Sequence, residues 1–228
     1  MLFLAVTLGF FVENKREHVI ESRRAKQYAS FLYNDLVKDT SFLREGMDFM
    51  KIGIKKLDTL ILVLKSFNEP TAVQKIYALS VYAYLNPIFN PTTSTMEQLK
   101  SSGSLRYFHN DTLILNFSKY DNEINILKKI EDWNAYQSED IRKFLTQFLD
   151  LKQIPIPVFT DSSRFTITGT AVHSNLKLYK NDPSQFEQFA NLCALKQLDW
   201  TNRLSRQSGI LISMGNLILS LNEEYHLK

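Results

Sequence analysis

The chain reads as an all-α protein: an elongated helical bundle with a partial transmembrane helix at its N-terminus and one extended crossover segment. Three observations predict this. Apolar residues recur at spacings of three and four through most of the sequence, the mark of amphipathic helices. Only seven glycines and six prolines punctuate 228 residues, which suits long helices better than many-turned sheets. The first stretch, Met1–Val12 (MLFLAVTLGFFV), is mostly apolar and runs straight into the charged segment Glu13–Lys26 (ENKREHVIESRRAK).

That first stretch organises the rest. Twelve residues of helix rise about 18 Å, short of a hydrocarbon core of about 30 Å. A secretory signal needs a basic leader and a small-residue cleavage site. Here Met1 lies inside the apolar run, and Phe10, Phe11 and Val12 stand where small residues belong. A buried helix of a soluble domain is the other alternative. The preferred reading takes residues 1–12 as the surviving end of a membrane-spanning helix that starts upstream, and residues 13–228 as a single helical domain. Lys15, Arg16, Arg23, Arg24 and Lys26 follow closely. Taken alone they favour a cytoplasmic domain, but the positive-inside rule compares both flanks. Arg23 and Arg24 are candidates for contact with anionic headgroups, worth about 1 kcal/mol each near the surface.

From Glu13 to about Lys38 a helix is predicted, with Ala25, Tyr28, Leu32 and Leu36 as its stripe, and Asp39 or Thr40 is placed to cap a new one. The next helix carries Met47, Met50, Ile54, Leu57, Ile61 and Leu64 as a coiled-coil-like seam and ends near Asn68. Pro70 suits a first helical position. The helix after it runs to about Leu85, where Asn86–Pro87 stops it, and Pro87 and Pro91 frame a rigid loop around Phe89. Asn110–Asp111 caps a helix reaching Trp133, with Leu113, Phe117, Tyr120, Ile124 and Leu127 on one face. Ser138–Asp150 supplies a further short helix. Residues 151–181 break the pattern: Pro155 and Pro157 remove backbone donors, and Phe165–Thr170 alternates like a strand. An extended crossover is expected there rather than a sheet. Asp182–Pro183 opens the last helix, which carries Phe186, Phe189, Cys193, Gln197, Trp200 and Leu204. It continues beyond Gly209 as one helix of about 60 Å, or as two joined near Ser208–Gly209.

Composition narrows function mainly by exclusion. The chain is 44% apolar with net charge +3, so global disorder is excluded and no nucleic-acid partner is implied. A single cysteine, Cys193, allows no internal disulfide and sits on an apolar stripe as a buried thiol would. His18, His109, His173 and His226 are scattered without the i+3 or i+4 partners of a helical metal site. No phosphate loop, nucleophile elbow or paired-carboxylate motif is present. Catalytic residues, metal ligands and cofactors are therefore expected to be none. Tyr77, Tyr82, Tyr84 and Phe89 are read mostly as core volume, with a ligand pocket as the lesser alternative.

The stretch Thr92–Arg106 (TTSTMEQLKSSGSLR) is the best candidate for anything specific. Ser94 and Glu97 fit a capping box, and Gly103 fits the left-handed position past a helix end. Glu97, Gln98 and Ser101 project from one or adjacent faces, with Arg106 beyond the glycine. The simpler reading, in which all of this is capping and turn chemistry, is preferred.

TLGFFVENKREH, QYASFLYNDLVKDT and TTSTMEQLKSSGSLRYFHNDTL resemble an uncharacterised family of bacterial single-pass membrane proteins, over roughly residues 1–130. The resemblance implies an N-terminal transmembrane helix followed by a mostly helical domain of unknown function. Members usually carry a short basic segment before the anchor, which this chain lacks. Restoring one would favour a domain outside the cytoplasm, on a bacterial inner membrane. The expected function is a membrane-anchored, non-enzymatic binding or scaffold module. The bilayer is its partner, and a homo-oligomer or an envelope protein is possible besides. The alternatives are a ligand-sensing bundle that signals through a partner protein and, least favoured, an unrecognised enzyme.

Overall fold

Apolar periodicity of three and four, sustained with few breakers, produces helix nearly throughout. A computed structural model of the protein describes residues 2–67, 71–154, 157–161, 164–167 and 176–227. The fold is all-α apart from one small hairpin. Helix α1 spans Leu2–Lys65, α2 Ala72–Tyr84, α3 Ser94–Ser101, α4 Asp111–Phe148 and α5 Pro183–Tyr225. Short 3-10 turns follow at Ser104–Tyr107 and Leu151–Gln153. No helix among the described residues is long and apolar enough to cross a membrane.

Several boundaries differ from the sequence expectation, each for a local reason. Asp39 does not cap a new helix. Helix α1 passes through it unbroken, and its carboxylate accepts from Thr92 instead, from the amide at 2.7 Å and from the hydroxyl at 3.0 Å. Thr40 bonds back to the Leu36 carbonyl at 2.8 Å, which keeps its hydroxyl inside the helix. The two helices expected over 111–150 are one helix of 38 residues, because nothing between Trp133 and Ser138 is a breaker. Of the two alternatives for α5 the single helix is found, 43 residues long with Gly209 inside it. Strands β1 (Pro157–Asp161) and β2 (Arg164–Ile167) pair antiparallel, Phe159 opposite Phe165, where a crossover without a sheet was expected. Two segments of alternating residues pair more readily than either runs alone. The expectation for Pro70 and part of the crossover, residues 155–156, 162–163 and 168–175, lie outside the described residues.

Two expectations about caps hold. Asn110 Oδ1 accepts from the Leu113 amide at 3.1 Å at the start of α4. Asp182 Oδ1 accepts from the Ser184 amide at 3.1 Å at the start of α5.

The residues group into two compact units, to both of which the long helices contribute: residues 1–40, 91–124 and 210–228 in one, residues 41–90 and 125–209 in the other. The core of the first is built from Ala25, Ala29, Leu32 and Leu36 of α1, Leu99 of α3, Phe117 and Tyr120 of α4, and Met214 and Leu217 of α5, all buried. Asn116 donates to the Ser220 hydroxyl at 2.8 Å within it.

The second unit consumes the Met47–Leu64 seam, with Met50 and Leu57 fully buried. A dense aromatic cluster fills it. Phe144 and Phe148 lie 5.3 Å apart, Phe148 and Phe189 5.6 Å, and Phe67 stacks on Phe186 at 4.3 Å. Tyr77 is core rather than pocket: its hydroxyl accepts from the Asp150 amide and donates to the Lys177 carbonyl, both at 2.8 Å. Gly53 lies directly against the Trp200 ring, so close that a Cβ there would overlap Cζ3.

Candidate functional site

Helix α1 begins with side chains that the protein does not cover. Phe3 is 83% exposed and Phe10 73%, and Leu8, Phe11 and Val12 are each more than half exposed. Every described side chain from Val6 to Ile20 is exposed, and the first fully buried one is Ala25. Burying a large apolar side chain is worth about 1.5–3 kcal/mol. These five therefore forgo on the order of 10 kcal/mol in water, an unusual surface for a globular protein. The polar turns that follow are laced by their own pairs, Glu13–Arg16 at 2.5 Å and His18–Glu21 at 4.0 Å.

A second feature is the docking of the Thr92–Arg106 stretch. Besides the Asp39–Thr92 bonds, the Thr95 hydroxyl donates to Asp35 at 2.6 Å. Two aspartates one turn apart on α1 thus hold the start of α3. Burial pushes the Asp39 carboxyl above the usual range, against the pull of Thr92. Tyr120, also buried, has a hydroxyl with no partner among the described residues, and burial together with Asp39 and Asp35 pushes its phenol up.

The capping box expected at Ser94 and Glu97 does not form, and among the described residues no side chain caps the amides of this helix start. Ser94 is the first helical residue and Thr93 the cap, and the Thr93 hydroxyl donates to Glu97 Oε1 at 2.8 Å. Glu97, Gln98 and Ser101 are exposed; Ser101 bonds the Gln98 carbonyl at 3.4 Å. Gly103 has φ +66°, the left-handed value its position calls for. Beyond it, Arg106 lies over the Tyr107 ring, 5.3 Å from the centre. Arg24 Nη1 donates to the Tyr107 hydroxyl at 3.3 Å. Both cations hold the Tyr107 phenol below its ordinary value, Arg24 foremost. Arg23 instead flanks an open surface groove with His18, Ser22 and Lys26.

The second unit contains buried charges that the sequence reading missed. The inner face of α5 runs through Lys196, Trp200, Arg203 and Gln207, one position earlier than the stripe drawn through Gln197 and Leu204. Arg203 donates to Asn86 Oδ1 and the Pro87 carbonyl, both at 2.5 Å, and pairs with Glu131 at 3.4 Å. The Phe89 amide also donates to Glu131, at 3.3 Å, so the rigid proline loop is tied to a buried ion pair. Lys196 donates to the Ser138 hydroxyl at 3.0 Å and lies over the Trp200 ring at 5.4 Å. Burial pushes its ammonium down to about 8. A serine bonded to such a lysine has the parts of a nucleophile and a base, but both residues are 2% exposed and no substrate reaches them. The spacing of seven between Lys196 and Arg203, within a heptad otherwise apolar, is the signal that could have found them.

Among the described residues no group of three or more His, Cys, Asp or Glu is placed to hold a metal ion. Cys193 is buried, and burial pushes its thiol up, away from reactivity. Comparison with protein families, with curated proteins and with solved structures finds no match for this chain.

Proposed function

We propose that the protein is a membrane-attached, non-enzymatic binding or scaffold module, held to a bilayer by the first turns of α1. The observation that carries this reading is the outward display of Phe3, Val6, Leu8, Phe10, Phe11 and Val12 on a helix continuous with the folded body. A bilayer is the solvent that such a helix end fits, because its described side chains from Phe3 to Val12 are apolar apart from Thr7, whose hydroxyl bonds back to the Phe3 carbonyl at 2.8 Å. The stretch reaches about 18 Å into a hydrocarbon core of about 30 Å. Lys15 and Arg16, one turn beyond Val12, then stand at headgroup level. The resemblance to bacterial single-pass membrane proteins supports the same placement, with the helical body as the part that meets partners.

Cell fractionation with an alkaline wash tests it. The tagged full chain is expected in the washed membrane pellet, and protease treatment of spheroplasts then tells on which side the body lies. Recovery of the chain in the wash would overturn the reading.

A second reading is ligand sensing. It is favoured by a half-open groove of about 590 Å³ in the second unit, lined by Leu64, Phe67, Pro183, Phe186 and Ala190 with Lys65 and Glu187 at its edge. Such a groove suits a small amphipathic ligand.

A further inference from the structure

The fold brings two guanidiniums and one phenol together at a place where no carboxylate pairs with them. Arg24 comes from α1. Arg106 and Tyr107 come from the 3-10 turn that the left-handed Gly103 swings toward that helix. Arg24 donates to the Tyr107 oxygen at 3.3 Å, and Arg106 lies against the same ring. Both arginines are exposed, while Tyr107 is 8% exposed and so held in place. Neither guanidinium has an ion pair among the described residues; Glu21 acts on Arg106 only at longer range. The Tyr107 hydroxyl receives a bond there but gives none. The cluster thus offers three donor groups with no carboxylate paired to them, the complement of an oxyanion.

We propose that Arg24, Arg106 and the Tyr107 hydroxyl form a binding site for a phosphate group. Planar guanidinium forks match two phosphate oxygens each, and a phenol donor aims at a third. The phosphate has two possible sources, a soluble phosphate-bearing molecule or a lipid headgroup. Arg24 stands twelve residues beyond Val12, about 18 Å along α1. An upright helix would hold it above a headgroup layer of about 5–8 Å. The soluble source is therefore the one this geometry favours.

The test titrates inorganic phosphate into the full chain carrying ¹³C-labelled tyrosine and follows the Tyr107 ring carbon signal, assigned with Tyr107→Phe. A saturable shift is expected, weakened about fivefold or more in Arg24→Gln and in Arg106→Gln. Thermal melts should stay unchanged, since both arginines are exposed. Phosphatidylglycerol and phosphatidylcholine vesicles form the second arm. A preference for phosphatidylglycerol that the double variant Arg24→Gln/Arg106→Gln loses, with no response to inorganic phosphate, would assign the site to lipid. A Tyr107 signal indifferent to phosphate, together with a vesicle preference that the double variant keeps, would overturn the proposal. The phosphate arm needs no membrane, so its outcome is separate from that of the attachment reading.

Discussion

Two glycines separate steric need from backbone need. Gly53 has the Trp200 ring where its Cβ would be, so Gly53→Ala must displace a fully buried indole. The expected cost is about 1–3 kcal/mol in urea unfolding, from overpacking. Gly46, in the same helix, has open space around it, and Gly46→Ala should stabilise by up to about 1 kcal/mol. Gly103 is the opposite case, with open space but φ +66°. Gly103→Val should cost about 1 kcal/mol or more through the backbone alone, and Glu97→Ala, which removes only an exposed bond from Thr93, less than about 1 kcal/mol. Equal costs for the two would contradict this account. The left-handed glycine was legible because a helix end followed by glycine has one common geometry. Gly53 was not, since close approach to Trp200 depends on packing between residues 147 positions apart.

Lys196 carries a pH dependence whose sign follows from its burial. Its ammonium is pushed from 10.5 down to about 8, by desolvation first, with Arg203 and Arg142 adding and Asp199 opposing. Between these values the unfolded chain binds a proton that the folded chain does not, so this group's contribution rises with pH from about 8 to 10.5 and is lost as pH falls through 8. Buried Cys193 and Tyr120 titrate in the opposite sense at high pH. The difference between wild type and Lys196→Met therefore isolates the lysine. That difference in unfolding free energy should shift in favour of wild type by about 1 kcal/mol or more between pH 7.5 and 9.5. An invariant difference would mean that Lys196 is solvated.

At the scale of elements, two of the departures from expectation are helices that run on past a point where an end was expected. Asp39–Thr40 has the composition of a cap, and 133–138 looked like an interval between two helices. In each case the helix continues: at Asp39 a tertiary partner outweighs the local preference, and between Trp133 and Ser138 the sequence holds no breaker. The Asp39 carboxylate is spent on Thr92, 53 residues away. Asp39→Ala should leave the Thr92 amide without that acceptor and cost about 1–3 kcal/mol, read by urea unfolding, while the helical circular dichroism of α1 stays intact. A loss of helix content instead would mean that Asp39 supports α1 itself. The buried charges of α5 escaped the sequence reading because tracing the stripe one residue later put Lys196 and Arg203 on the outer face. The α4 and α5 caps were legible, since they rest on local spacing.

Across the whole molecule, the feature that bears on function is the start of α1, where the described apolar side chains stay exposed. The apolar run was plain in the sequence; the exposure of its described side chains was not, because a stretch of the same composition also suits a buried core helix. The account turns on what covers Phe10 and Phe11. The direct measurement is flotation of the full chain with phosphatidylglycerol/phosphatidylcholine vesicles, beside Phe10→Asp/Phe11→Asp. Wild type is expected to float with the vesicles, and the double variant to stay at the bottom of the gradient with an unchanged thermal melt, since both side chains are exposed. Wild type left at the bottom, or a variant that floats equally well, would contradict attachment through the start of α1.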